Sequence, residues 1–286
     1  HDFDEIKHIK AYNNTLTWDE KSGPPVGRLS PKNLVKLCDE LENILDGSDE
    51  NKQYIALFRK AYGECKTFGE ATLQVLTELT AHTGLIVLEP DNSLLKQEMK
   101  SLATSDLLQN GNKNSIEAQT KKLKQKSFKP QIGAQATNFF YLTKDERVKI
   151  KKKGSLFLIG DLELDKAALI ELIDSNIEDF SPNVALRPLF QETILPNVIY
   201  IAGTSELRYW LQILNTFKLN HVDYPMVLLR KSALIMRKKN YKRIMSKLDT
   251  PSDLFQEDQA LIKKYDKKLK EKLNNVKLLV SDQFAN

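Results

Sequence analysis

The chain of 286 residues is 41% hydrophobic with only 11 Gly and 10 Pro, which allows about two globular domains and excludes collagen-like, low-complexity and disordered classes. Its 43 basic and 38 acidic residues leave +5, spread over Lys-rich stretches interleaved with acids that read as solvated faces and argue against a nucleic-acid interface. Cys38 and Cys65 lack a C-x-x-C spacing, which points to a reducing, cytoplasmic setting, and no apolar run of about eighteen residues exists to span a membrane.

Leu34, Leu37, Leu41, Ile44 and Leu45 have helical spacing, with Ser30 as a candidate cap and Gly47 near the stop. A second helix carries Tyr54, Leu57, Phe58 and Tyr62. A third runs from Thr67 to Gly84, where a glycine lets the backbone turn into a buried strand, Leu85-Ile86-Val87-Leu88. Residues 104–126 read as a polar loop followed by a helix. Strands are expected at Phe139 to Leu142 and Ser155 to Ile159, with a hairpin region over 143–165, and a helix from Lys166 to Ser175. A helical turn over Leu186 to Gln191 precedes the strand Val198 to Ala202, the amphipathic stretch Leu207 to Phe217 and the strand Met226 to Leu229. Arg243 to Leu248 resembles the KMSKS loop of class I aminoacyl-tRNA synthetases, but Tyr241, Ile244, Met245 and Leu248 assign it to a helix. Beyond Pro251, Ile262, Tyr265, Leu269, Leu273 and Val276 mark a long charged helix. Strands alternating with helices predict an α/β fold with a mostly parallel sheet covered on both faces.

The strongest chemical signal is the strand-to-helix junction Ile201 to Tyr209. Ligands gather beyond the carboxyl ends of parallel strands; Gly203 permits close backbone approach, and Ser205 can cap the next helix and leave its N–H groups facing a phosphate or carboxylate. Glu206 faces the same crevice, where it can hold an ammonium or merely compensate the helix dipole. Arg187 and Gln191, four residues apart, share a helical face; the arginine suits a carboxylate or phosphate, or equally an ion pair with Asp or Glu. Tyr209 and Trp210 read first as packing. His1-Asp2-Phe3-Asp4-Glu5-Ile6-Lys7-His8 is dense in histidine and carboxylate but matches no zinc spacing, so no metal is expected.

The block Val184-Ala185-Leu186-Arg187-Pro188-Leu189-Phe190-Gln191-Glu192-Thr193-Ile194-Leu195-Pro196, followed by Tyr200 to Glu206 and Tyr209 to Gln212, is similar to the hallmark of the bacillithiol biosynthesis cysteine-adding enzymes. His1 to His8, Pro25 to Arg28, Thr67 with Glu70 to Thr72, Gly84 to Asp91, Asn138-Phe139-Phe140 and Phe180 to Asn183 match that family in order. The resemblance implies a Rossmann-like nucleotidyltransferase core over 1–250, helical over about 31–83 and with an insertion or hairpin region over 104–165. It also implies the start of a coiled-coil arm over 251–286, and family sequence upstream of His1. It implies catalytic His1, Asp2 and Glu206, with Asn138, Arg187, Gln191, Gly203, Ser205, Tyr209 and Trp210 binding substrate or nucleotide. An ATP- or ADP-type cofactor, cysteine and glucosaminyl-malate as substrates, and a homodimer through the arm follow from the same resemblance. Lys7, Ala202-Gly203-Thr204 and Glu192 depart from the family pattern, which keeps a nucleotide-binding or scaffold homologue without ligase activity as the alternative.

Overall fold

The computed structural model describes residues 8–18, 24–257 and 259–270, in two units, His1–Arg230 and Lys231–Asn286. The first unit opens with an antiparallel hairpin, β1 (His8–Ala11) and β2 (Asn14–Thr17). Three helices follow: α1 (Leu34–Ile44), α2 (Asp49–Glu64) and α3 (Phe68–Thr80). Asn33, not Ser30, stands at the start of α1, while Ser48 caps α2 and Thr67 with Glu70 forms a reciprocal capping box on α3. Gly84 adopts φ +75°, the left-handed conformation the predicted helix end requires.

The strand expected at Leu85 to Leu88 does not form. The segment is extended but unpaired, with Ile86 79% exposed. An apolar run becomes a strand only when a neighbour accepts its hydrogen bonds, and none lies beside it among the described residues. The chain then enters α4 (Ser93–Gln97), α5 (Lys100–Leu108) and α6 (Gly111–Gln125). Residues 104–108, expected as loop, are helical because Ala103 and Leu107 are drawn fully into the core.

Next come β3 (Phe139–Leu142), β4 (Arg147–Lys149), β5 (Lys151–Lys153), β6 (Leu156–Ile159), β7 (Leu162–Leu164), α7 (Lys166–Asn176) and β8 (Phe180–Pro182). They form two small antiparallel sheets, ordered β4-β3-β8 and β5-β6-β7. The unit closes with α8 (Arg187–Ile194), β9 (Ile199–Ala202), α9 (Thr204–Leu219) and β10 (Met226–Leu229). Only β9 and β10 pair in parallel among the described strands, so the expected mostly parallel sheet is corrected to one parallel pair among small antiparallel sheets. For the pairs joined by short turns the reason is link length, since parallel pairing needs a crossover of a dozen or more residues; β3 and β8 pair antiparallel although a long connection containing α7 separates them. Between β9 and β10 the helix α9 supplies the crossover, whereas turns of a few residues join β3 to β4 and β5 through β7.

The core lies where α5, α6, α7, α8 and α9 meet these sheets, around Met99, Leu107, Ile116, Phe139, Leu169, Phe180 and Trp210. Trp210 is fully buried and stacks on Tyr200 at 4.1 Å between ring centroids. Burying an indole of this size is worth about 4–6 kcal/mol as an upper estimate. Gln212 is also buried: its Oε1 accepts from the N–H groups of Gln131 (2.6 Å) and Ile132 (3.0 Å), tying that loop to α9. Tyr200 and Val227 pack against the core, while Ile199, Ile201, Met226 and Leu228, directly paired across the two strands, are exposed on the other face of the parallel pair.

A second polar cluster anchors the helical region. Arg28 donates to Asp91 (2.6 Å), Asp179 (2.7 Å) and the Glu178 carbonyl (2.6 Å), and the buried Lys96 donates to Asp91 (2.5 Å) and to the same carbonyl (2.6 Å). Every charge here meets an opposite one.

In the second unit α10 spans Lys238–Met245, a short 3-10 turn spans Pro251–Phe255, and residues 259–270 are helical. Arg243 to Met245 fall within α10 and Ser246 caps its end, so the first half of the synthetase-like stretch is helical as expected, while Lys247 and Leu248 lie beyond the helix. Lys264 donates to the buried Asp253 at 2.6 Å and, with backbone N–H groups, holds that carboxyl at about 2. Ile262 and Leu269 are exposed, and Leu273 and Val276 lie outside the described residues.

Candidate anion-binding site

The parallel pair ends at Ala202 and Leu229, and its carboxyl edge carries the site. Gly203 follows β9 in extended backbone and opens α9, whose first intrahelical bond runs from the Leu207 N–H to the Gly203 carbonyl (2.9 Å). The N–H groups of Thr204 and Ser205 therefore precede any i→i−4 partner. The cap is not Ser205, as expected, but Glu206: its Oε2 accepts the Gly203 N–H at 2.6 Å, and its Oε1 accepts the Tyr200 hydroxyl at 3.1 Å. Ser205 does not cap because α9 already begins after Gly203 and holds Ser205 inside its first turn, whereas Glu206, three residues past Gly203, reaches back to that N–H and complements the helix dipole.

Two guanidiniums, those of Arg230 and Arg187, lie near this junction, and a third, Arg147, lies near Arg187. Arg187 begins α8, is exposed, and lies near enough to Tyr200 and Tyr209 for its charge to oppose the upward push that burial gives both phenols. Arg147 on β4 sits over the Phe140 ring at 3.8 Å and donates to the Pro182 carbonyl at 3.0 Å; burial first, and the charge of Arg187 second, lower its pKa. Arg230, directly after β10, donates its N–H to the Ala202 carbonyl at 2.8 Å. Its guanidinium lies so close to Gly203 that a Cβ there would stand 3.4 Å from its central carbon. None of the three arginines is ion-paired among the described residues. A Cβ on Gly203 would also stand 3.2 Å from Glu206 Oε2, so Arg230 and the Glu206 carboxylate flank the same point and the edge carries both signs of charge, which suits a ligand with an anionic and a cationic group.

The structure brings Arg187, Gly203, Ser205, Glu206 and Tyr209 to this edge. It gives other predicted residues different surroundings. Gln191 donates to Glu192 (3.0 Å), and Trp210 is core. Asn138 is 1% exposed with its amide committed to Asp106 and Asn183. His1 and Asp2 lie outside the described residues. Sequence reading passed over Tyr200, Arg147 and Arg230. Arg230 had a usable signal, its place at the carboxyl end of a predicted strand; Arg147, in a hairpin, had none. Among the described residues no group of three or more His, Cys, Asp or Glu is placed to hold a metal. No helix among them is long and apolar enough to cross a membrane.

Comparison with known proteins gives one consistent answer. The family model "Bacillithiol biosynthesis BshC, N-terminal Rossmann-like domain" matches residues 1–231. The chain is similar to the "Putative cysteine ligase BshC" of Flavobacterium psychrophilum, 34% identical across all of this chain and 53% of the relative. The protein of the same name from Flavobacterium johnsoniae is 28% identical over 92% of this chain and 50% of the relative, and that from Staphylococcus haemolyticus 27% identical over 85% and 48%. The chain thus spans about half the length of the curated relatives it matches.

Proposed function

The chain belongs to the bacillithiol biosynthesis BshC family, and from that premise we propose that the whole protein is a ligase that joins cysteine to glucosaminyl-malate through an amide bond. The observation that carries the reading is that Arg187 and Arg230, neither of them ion-paired among the described residues, lie with the Glu206 carboxylate at the carboxyl edge of the parallel pair. This donor set fits a malate carboxylate or a nucleotide phosphate, since guanidiniums and free helix N–H groups recognise both. A bound ATP-type nucleotide supplies the driving force for activating the cysteine carboxyl.

The chain's own residues then have distinct tasks. Arg187, Arg230 and the N–H groups of Thr204 and Ser205 hold the anion, and the ring of Tyr209 walls the crevice. Glu206 keeps unused lone pairs beside its bonds to Gly203 and Tyr200, and with them orients the substrate ammonium. His1 and Asp2 take the proton from the attacking amine, because an ammonium has no lone pair with which to form the new bond. As the carbon–nitrogen bond closes, the carbon–oxygen bond between the cysteine carboxyl carbon and its nucleotide-derived phosphoryl leaving group would break, the leaving group taking the electron pair and the base the amine proton. The arm that begins beyond Pro251 pairs two copies, with Ile262, Tyr265, Leu269 and Val276 at the seam; light scattering of the whole protein tests this, and a monomeric mass refutes it.

ATP-dependent amide formation by the purified whole protein, given cysteine and glucosaminyl-malate, tests the reaction. Nucleotide binding by calorimetry without affinity for either substrate would instead support a scaffold protein. Full turnover in Arg187→Ala would remove that residue from the site.

A further inference from the structure

Asp106 is a carboxylate in the wrong place for ordinary stability. It is 1% exposed on α5, and among the described residues no cation touches it; its partners there are amide N–H groups, the Asn138 N–H (2.6 Å), Asn138 Nδ2 (2.8 Å) and Asn112 Nδ2 (3.0 Å). Leaving a charge buried without a counter-charge is costly unless its geometry is used.

The geometry leads to the anion site. A carboxylate accepts only, so it forces the Asn138 side chain to present its NH2 to Asp106 and its oxygen outward. That oxygen accepts Asn183 Nδ2 at 2.8 Å, and the Asn138 carbonyl accepts the Asn183 N–H at 2.7 Å. Asn183 is thereby fixed with its own Oδ1 towards the Ala185 N–H (2.8 Å) and the Leu186 N–H (3.3 Å), while its carbonyl accepts the Arg187 N–H (2.9 Å). Each residue is gripped by two bonds from the one before it, and the last holds the turn from which Arg187 projects. Such a chain polarises along its length, so the charge at one end strengthens the acceptor at the other.

We propose that Asp106 is a positioning residue for Arg187, acting through Asn138 and Asn183 to fix the start of α8 for an anionic substrate. The inference rests on the reading of Arg187 as an anion holder. In Asp106→Asn one acceptor becomes an NH2 facing donors, so the Asn138 amide loses its fixed orientation. Asn183→Ala cuts the relay at a less buried point and serves where Asp106→Asn does not fold.

The test uses the whole protein and steady-state turnover with glucosaminyl-malate, beside Arg187→Ala and a core control, Leu107→Ala, a fully buried neighbour on the same helix. Expected is a roughly tenfold rise in KM for glucosaminyl-malate in Asp106→Asn and in Asn183→Ala, with kcat within about twofold and the KM of Leu107→Ala unchanged at equal or greater loss of stability. If Arg187→Ala raises KM and both relay variants leave it unchanged, the relay is refuted and the anion site stands. An equal KM rise in Leu107→Ala also refutes it, by making the effect one of general loosening. If Arg187→Ala itself leaves KM unchanged, the anion reading fails and takes the relay with it.

Discussion

Two arginine clusters in the first unit use the same side chain for opposite ends. Around Arg28, two carboxylates, a carbonyl and the buried Lys96 close a network in which every charge is answered within the chain. At the strand edge, Arg187 and Arg230 make no ion pair among the described residues, although the Glu206 carboxylate lies beside Gly203 with Arg230. The first cluster has nothing left to offer a ligand and ties the segments around residues 28, 91–96 and 178–179 together. The second keeps its field outward. What separates a structural arginine from a binding one is therefore who supplies the counter-charge, and each prediction below acts on that distinction.

The largest effect is expected from Asp91→Ala, which removes the acceptor shared by Arg28 and Lys96 and leaves the ammonium of Lys96 uncompensated while 3% exposed. Stability should fall by about 3–5 kcal/mol in urea denaturation, with anion affinity per folded molecule unchanged. At the other cluster the pattern should invert. Arg187→Ala and Arg230→Ala should each weaken binding of the anionic substrate by roughly 10- to 100-fold, the worth of a charge-assisted hydrogen bond, and alter stability by no more than about 0.5 kcal/mol. Stability loss on the scale of Asp91→Ala in either variant would erase the distinction.

Acid provides a third, smaller handle. Burial pushes the Asp91 carboxyl up, but the hydrogen bonds from Arg28 and Lys96 outweigh it and hold the group below its ordinary value. A depressed folded pKa means that its contribution is complete above the unfolded carboxylate value of about 3.9 and is lost as pH falls through the lower folded value. Acid unfolding followed by circular dichroism should thus show a shallower pH dependence below about pH 4 in Asp91→Asn, and an unchanged slope would remove Asp91 from the clasp. The smallest effect belongs to Gly203→Ala. The new methyl would meet Glu206 Oε2 at 3.2 Å and the Arg230 guanidinium at 3.4 Å, both ends of flexible side chains, and φ at −71° is ordinary. A stability change within about 1 kcal/mol with a few-fold weaker substrate binding is expected, read by calorimetry.

Much of this was legible because local rules settle it. The helix through Tyr54 to Tyr62, the helix starting at Thr67, the left-handed Gly84, the βαβ crossover between β9 and β10 and the junction at Gly203 all follow from spacing and turn chemistry within a few residues. The Arg187 block and the Phe180-Ser181-Pro182-Asn183 stretch carried the family resemblance, and the structure gives two of those matches a shared physical task, since Asn138 and Asn183 are bonded to each other. The misses have one cause. Leu85 to Leu88 has the composition of a strand but no neighbour to pair with, and residues 104–108 have the polarity of a loop but two side chains that the core takes in.

The sequence by itself determined that helices run through Leu37, Leu57 and Val75, that a strand at Ile199 leads into a helix at Trp210, and that an arginine and a glutamate flank this strand-to-helix turn, because each depends on residues close along the chain. Only the tertiary structure decided which charges are answered. Arg28 meets Asp179 across 151 positions and Asp106 meets Asn138 across 32, while Arg187 and Arg230 make no ion pair among the described residues. Coulomb and hydrogen-bond energies depend on distance in space, not on distance along the chain, so the partner that makes one arginine a clasp and leaves another open to a ligand is set by the fold.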